Sequence, residues 1–294
     1  MAPAHRSPLT AYLFTMLPTL SSLHVYPLKG AGGFSPSAWE VDDRGFRYDR
    51  RWMLVDPAGD FITQRDEPRL SLVRTRIEPP HLVLDAPAMP EIRLALAPLG
   101  GRAMTVQVWG QLVEAWLPDT KADQWISEYL ARPCGIAHMP EDATRPISPD
   151  HAAPWREVSF ADGFPFLVIS QASLDDLNQR IPVPLPMNRF RPNLVVAGTA
   201  PFAEDGWRRL RIGRMHLDLV KPCERCVVTT TDQATAERGH EPLRTLATYR
   251  RVDGKVMFGQ NAIHDATGTI EVGTELEVLE EGSREKGAGS SSEG

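Results

Sequence analysis

The 294-residue chain is 42% hydrophobic and 24% charged, the composition of a soluble globular protein with one large domain or two ordinary ones. Its net charge of −6 excludes the sequence-wide basic excess that nucleic acid or an anionic membrane surface demands, so an anionic ligand must meet locally placed Arg and Lys. Three cysteines, Cys134, Cys223 and Cys226, are too few for a disulfide scaffold and for the four ligands of a plant-type or bacterial iron–sulfur cluster. Such usage suits a reducing compartment, and a cytoplasmic location is expected.

The apolar segment Ala11–Leu20 is ten residues long and contains Pro18, too short to span a bilayer and without a clear signal-cleavage site. Residues 1–20 therefore read as an N-terminal extension. From 21 to 117 the chain reads as short strands broken by turns, at 22–27, 51–55, 70–77, 81–85, 91–96 and 103–116. The alternation through Thr105–Trp109 is that of a half-buried strand. Ala122, Trp125, Ile126, Tyr129 and Leu130 then form one apolar helical stripe, with Asp119 or Thr120 as its cap. Residues 133–157, rich in Pro and Asp, read as a long loop. Phe164–Ile169 is a buried strand, and Ser170 caps a helix carrying Leu174 and Leu177. Further strands are expected at 193–197, 209–212, 214–220, 226–230, 255–261, 268–272 and 275–279, with a short helix around 242–250. The polar, low-complexity stretch 280–294 reads as a disordered tail. Strands outnumber helices without regular βαβ alternation. The pattern predicts a mainly β (α+β) fold of barrel type rather than a doubly wound sheet, with no clear linker.

Four constellations carry chemistry. Lys221-Pro-Cys-Glu-Arg-Cys226 holds a Cys-x-x-Cys pair. A structural zinc site wants a second pair of ligands, and Cys134, His216, His240 and His264 are unpaired in sequence. A thioredoxin-like dithiol wants a following helix, whereas Val227-Val-Thr-Thr-Thr231 is a strand former. Burial as two small hydrophobes is the plain alternative, and Arg225 argues against it, because a neighbouring guanidinium favours thiolate. Arg189-Phe-Arg-Pro-Asn193 can clamp an oxyanion between two cations, or be a solvated loop. Tyr26-Pro-Leu-Lys-Gly30 leads into a Gly-rich turn whose amides can approach an anion, although the Lys precedes the glycines and this is no Walker loop. Asp49-Arg-Arg-Trp52 and Gln64-Arg-Asp-Glu-Pro-Arg69 are otherwise ordinary strand-edge charge.

Together these pieces resemble a family. The stretches are YPLKG (26–30), DRRWMLVDPAGDFITQRDEPRLSLV (49–73), FPFLVISQASLDDLN (164–178), FRPNLVV (190–196), LVKPCERCVVTTT (219–231), EPLRTLATYR (241–250) and FGQNAI (258–263). In this order they resemble MOSC-domain proteins with an N-terminal MOSC β-barrel domain, which implies a β-barrel-like domain at 21–117 followed by a MOSC barrel domain at 118–279. Within these, the chain resembles the mitochondrial amidoxime-reducing component and bacterial relatives that reduce hydroxylaminopurines. The resemblance implies a molybdenum cofactor (molybdopterin), with Cys226 as the protein ligand to the metal and the catalytic cysteine, a soft thiolate of the expected type. Lys29, Arg50 and Arg191 occupy the positions of cationic anchors for the cofactor, and Asn193 and Arg225 those of hydrogen-bond donors. Cys223 is implied as a neighbour. The chain departs from the mitochondrial members at Gly30, where they carry Ser or Cys; it also lacks a convincing N-terminal anchor, and the four-cysteine ferredoxin domain of some bacterial members is not expected after residue 279.

The implied activity is reduction of small N-hydroxylated compounds to amines, with electrons from a separate ferredoxin- or cytochrome-type protein and its reductase. The alternative is a non-catalytic carrier of sulfur or of the molybdenum cofactor. A pyridoxal phosphate desulfurase domain would strengthen that alternative, and the chain has no room for one.

Overall fold

The computed structural model describes residues 17–153 and 155–282; the expected extension up to residue 16 and the expected tail from 283 lie outside the described residues. Strands dominate, as the pattern predicts, and they close into two barrels.

In the larger sheet, Thr19–Leu23, Leu194–Ala197, Phe166–Ser170, Lys255–His264, Met215–Glu224, Trp207–Ile212 and Leu276–Glu281 lie side by side in that order. Leu20 N–H donates to Thr274 O, Gly273 N–H donates to Leu20 O, and Thr19 bridges Glu275, so the last strand meets the first. A closed sheet leaves no edge to cap. Side-chain alternation divides each strand between two environments. Phe166, Val168, Leu194 and Val196 point into the barrel core with Leu210, Leu217 and Ala262. Ile169 packs outside with Phe190, Phe258 and residues of two helices, Gln171–Arg180 and Leu243–Tyr249. The first of these helices is a crossover between the parallel strands Phe166–Ser170 and Leu194–Ala197. Ser170 caps it as expected, its Oγ accepting from Ser173 N–H at 3.0 Å.

The smaller barrel orders Phe61–Ile62, Trp52–Val55, Gly135–His138, Gln111–Leu117 and Arg102–Val108. Gln107 N–H donates to Gly59 O and Asp60 bridges Gln107, joining its two ends. Met53 and Val55 face its core, while Trp52 and Leu54 face outward onto the helix Thr120–Leu130, whose apolar stripe is the one the spacing predicts. Asp119 is the cap. Among the described residues no helix is long and apolar enough to cross a membrane.

Several elements differ from expectation. The run 103–116 is a hairpin broken at Trp109-Gly110, and 70–77 begins as the 3-10 turn Pro68–Leu72, because Pro68 fits a first helical turn, before the strand Arg74–Glu78. Gly135–His138 is a strand inside the expected loop, and Ala38–Asp42 pairs with Gly268–Glu271. The expected strand 226–230 is a 3-10 turn, Val227–Thr230: the Thr229 and Thr230 hydroxyls donate back to the carbonyls of Cys226 and Val227, at 2.9 and 2.8 Å. Local side-chain bonds of this kind offer the backbone an alternative to a ladder. Glu280 and Glu281, expected with the tail, complete the last strand.

Candidate active site

The strand Met215–Glu224 carries the cysteine pair to its place. Pro222 cannot donate to a ladder, and the pairing with Lys255–His264 slips on both sides of it, between Leu219 and Lys221 and between Pro222 and Glu224. After this bulged end, Arg225 N–H donates to Val256 O, and Cys226 stands in extended backbone at the start of the 3-10 turn. The Cys226 carbonyl accepts from Thr229 through both N–H and hydroxyl. The Cys226 sulfur opens onto a cleft of about 160 Å³ between the two barrels.

Every residue named from the resemblance lines that cleft: Lys29, Arg50, Arg191, Asn193, Arg225 and Cys226, with Cys223 beside them. Arg50 and Arg191 both hold left-handed backbone, at φ 49° and 54°. Such conformations are uncommon outside glycine and cluster at functional sites. Their guanidinium groups lie over the Tyr26 ring, 4.5 and 4.3 Å from its centroid. Burial pushes the Tyr26 hydroxyl up to about 12, so the ring between the two cations stays neutral. Asp49, buried, pairs with Arg50 and accepts from Tyr26 N–H. Arg191 Nη1 donates to Ala31 O at 2.6 Å, while its Nη2 is buried without a partner. Arg225 spends its two terminal nitrogens on Cys223 Sγ and Phe190 O, and its Nε is likewise buried without a partner. Burial pushes Lys29 down to about 8 and Arg191 to about 10. Cations held at such a desolvation cost, with unspent donors, form a cradle that an anionic ligand completes.

The contacts add to what the sequence implies for two residues. Asn193 Oδ1 accepts from Arg50 Nη1 at 3.0 Å and one N–H of its Nδ2 donates to His24 O, so it also orients Arg50. Arg189 does not join Arg191 as a second clamp; it pairs with Asp232 at 3.2 Å behind the 3-10 turn.

Residues not singled out by sequence complete the mouth. Arg65 Nη2 donates to Cys226 Sγ at 3.2 Å, so the cysteine's guanidinium partner is Arg65, while Arg225 serves Cys223. Arg65 was legible only as strand-edge charge, and the turn that aims it is bolted down by Arg238, which donates to the Gln64 and Arg65 carbonyls. Asp162 accepts from Lys29 Nζ and from the Trp109 indole. Among the described residues no group of three or more His, Cys, Asp or Glu side chains could hold a metal by itself. A soft metal at Cys226 would need further donors from a bound ligand.

Comparison with known proteins assigns both barrels to domain families. Residues 17–133 match the MOSC N-terminal beta barrel domain, and residues 156–277 match the MOSC domain. Mitochondrial amidoxime-reducing component 1 of Mus musculus is 34% identical over 279 residues, covering 89% of this chain and 82% of its own length. The Homo sapiens protein of that name is 33% identical, covering 91% and 85%. The molybdenum cofactor sulfurase of Oryza sativa subsp. japonica is 33% identical over 82% of this chain, which spans only 32% of that relative's length. With two domain matches in series and relatives aligned over most of both lengths, the chain belongs to the family of MOSC-domain proteins that carry the MOSC N-terminal beta barrel domain.

Proposed function

We propose that this chain holds a molybdenum-pterin cofactor in the cleft and reduces small N-hydroxylated compounds, amidoximes and hydroxylamines among them, to the corresponding amidines and amines. One observation carries the reading: six residues from four separate stretches of sequence ring one cleft, and two of its guanidinium groups keep buried, unpartnered N–H donors. Cys226 Sγ is the residue that would ligate the metal. Lys29, Arg50 and Arg191 would hold the anionic part of the cofactor, with Arg225 Nε as a further donor and Asn193 acting through Arg50. When bound, the cofactor supplies the two-electron step in which N–OH, two electrons and two protons give N–H and water. The protein's own part is to fix the Cys226 carbonyl and sulfur, to orient Arg50 and Arg191 on Tyr26, and to line the mouth through which substrate enters. The relatives' name, amidoxime-reducing component, supports the substrate class.

The match to molybdenum cofactor sulfurase favours a second reading, a carrier whose cysteine holds sulfur. Metal and pterin analysis of the purified protein separates the two. Molybdenum with pterin is expected; a labile cysteine sulfur without molybdenum, or zinc, would defeat the reductase. Cys226→Ser should lose reduction of hydroxylamine substrates and stay folded, while Cys223→Ser keeps much of it. Equal loss in both would point to a dithiol or a shared metal site.

A further inference from the structure

Trp109 sits where turn chemistry disfavours it. Val108 pairs with Gln111, so Trp109-Gly110 is a two-residue hairpin turn, and both residues have positive φ, 51° and 83°. That turn type selects Asn-Gly, Asp-Gly or Gly-Gly, and a bulky aromatic at its first position is strained. The ring is also 48% exposed, with no apolar core to repay the strain. What it does have is a position. Its Nε1 donates to Asp162 at 3.1 Å, and the Arg65 guanidinium lies 4.7 Å from its ring centroid. Arg65 in turn touches Cys226 Sγ, and Asp162 touches Lys29. The indole is thus tied at two points to residues that line the cleft, Asp162 and Arg65, with the Phe61 ring against its flank at 5.0 Å.

Resting on the reductase reading, we infer that Trp109 is a substrate-selecting wall. Its exposed face is a stacking platform for flat, aryl-borne N-hydroxylated groups, and the Asp162 carboxylate, 68% exposed, accepts from the amino group of an amidoxime held there. Aromatic faces attract flat conjugated ligands in offset or edge-on geometry, and a cation beneath the ring strengthens its grip on electron-rich partners. A compact substrate such as hydroxylamine gains nothing from the platform. The wall therefore sets preference among substrates rather than the chemistry of reduction.

Trp109→Asn tests this without a folding penalty, because Asn is favoured at that turn position. Expected is a fall of about tenfold in the ratio of kcat/KM for benzamidoxime to kcat/KM for hydroxylamine, carried by KM, with molybdenum content unchanged. An independent arm needs no turnover: benzamidine, the reduced form of that amidoxime, should bind the wild-type protein more tightly than Trp109→Asn by calorimetry. An unchanged ratio together with equal benzamidine affinity overturns the wall. So does a parallel loss on both substrates, which would assign Trp109 to holding Arg65 in place. If the wild-type protein reduces no N-hydroxylated compound, the reductase reading fails, and the benzamidine arm alone decides the wall.

Discussion

At the scale of single residues, the cleft shows why charge alone is a poor guide to a site. Lys29, Arg50 and Arg191 are far apart in sequence, yet each meets the same open volume, and Arg50 and Arg191 flank one tyrosine ring. Arg191 is the sharpest test of the anion cradle, since it divides its donors between Ala31 O and an unpartnered position. Arg191→Ala should lower the molybdenum and pterin content of the purified protein, and Arg191→Lys should recover only part, because an ammonium cannot serve both directions at once. Normal loading in the alanine variants of all three cations would sink the cradle. The resemblance pointed to these positions before any contact was known, but not to how each is used. Asn193 and Arg225 look alike as donors in sequence, and only the contacts show that Asn193 also orients Arg50 while Arg225 keeps its Nε–H buried without a partner. Arg65, Asp162 and Trp109 were hidden for a different reason. Their meaning lies in whom they touch across the gap between two barrels, and a single sequence carries no trace of that.

At the scale of elements, the strongly periodic segments were legible and the short ones were not. The helix Thr120–Leu130 and the strand Phe166–Ser170 follow from spacing and capping. Gly135–His138 is four residues long among prolines and acids, and its burial comes from Trp52–Val55 beside it, a partner distant in sequence. The threonines after Cys226 have strand propensity, but their hydroxyls bond backward and wind a turn instead. The Gly-rich run after Lys29 suits the approach of an anion in sequence, yet one of its glycines serves packing. A Cβ on Gly33 would lie 2.3 Å from Val25 O and 2.5 Å from the Tyr26 ring, in the bridge where Val25 and Phe34 exchange backbone hydrogen bonds. Gly33→Ala should therefore cost roughly 2 kcal/mol or more in denaturant or thermal unfolding, since backbone cannot yield as a flexible side chain does. Gly100→Ala, with nothing within 4 Å of its added carbon, is the control and should stay within about 0.5 kcal/mol. Equal effects would show that the turn is softer than its contacts imply.

At the scale of the whole molecule, the question is how electrons reach the cleft. Among the described residues, the parallel strand pair joined by a helical crossover runs from Ser170 directly into the helix Gln171–Arg180, with no glycine at the turn. A dinucleotide's pyrophosphate needs a Gly-rich loop at such a helix N-terminus, so this crossover is no nicotinamide site. Nor do the cysteines offer an iron–sulfur relay: Cys134 packs against the core of the helix Thr120–Leu130, bonded to Ser127, leaving only the pair at the cleft. If the reductase reading holds, reducing equivalents come through a separate ferredoxin- or cytochrome-type protein that docks near the mouth. Such contacts are small and depend on charge, so turnover with the partner should fall as salt is raised. The expected pattern is no NADH consumption with a hydroxylamine substrate and this protein alone, turnover with reduced viologen, and NADH-driven turnover once a carrier and its reductase are added. Robust activity with NADH and no partner would reveal a cofactor site outside this cleft. The N-terminal part of the chain, which lines the cleft with Lys29, Gly30, Arg50 and the turn at Thr63–Arg65, would be the place to look for it.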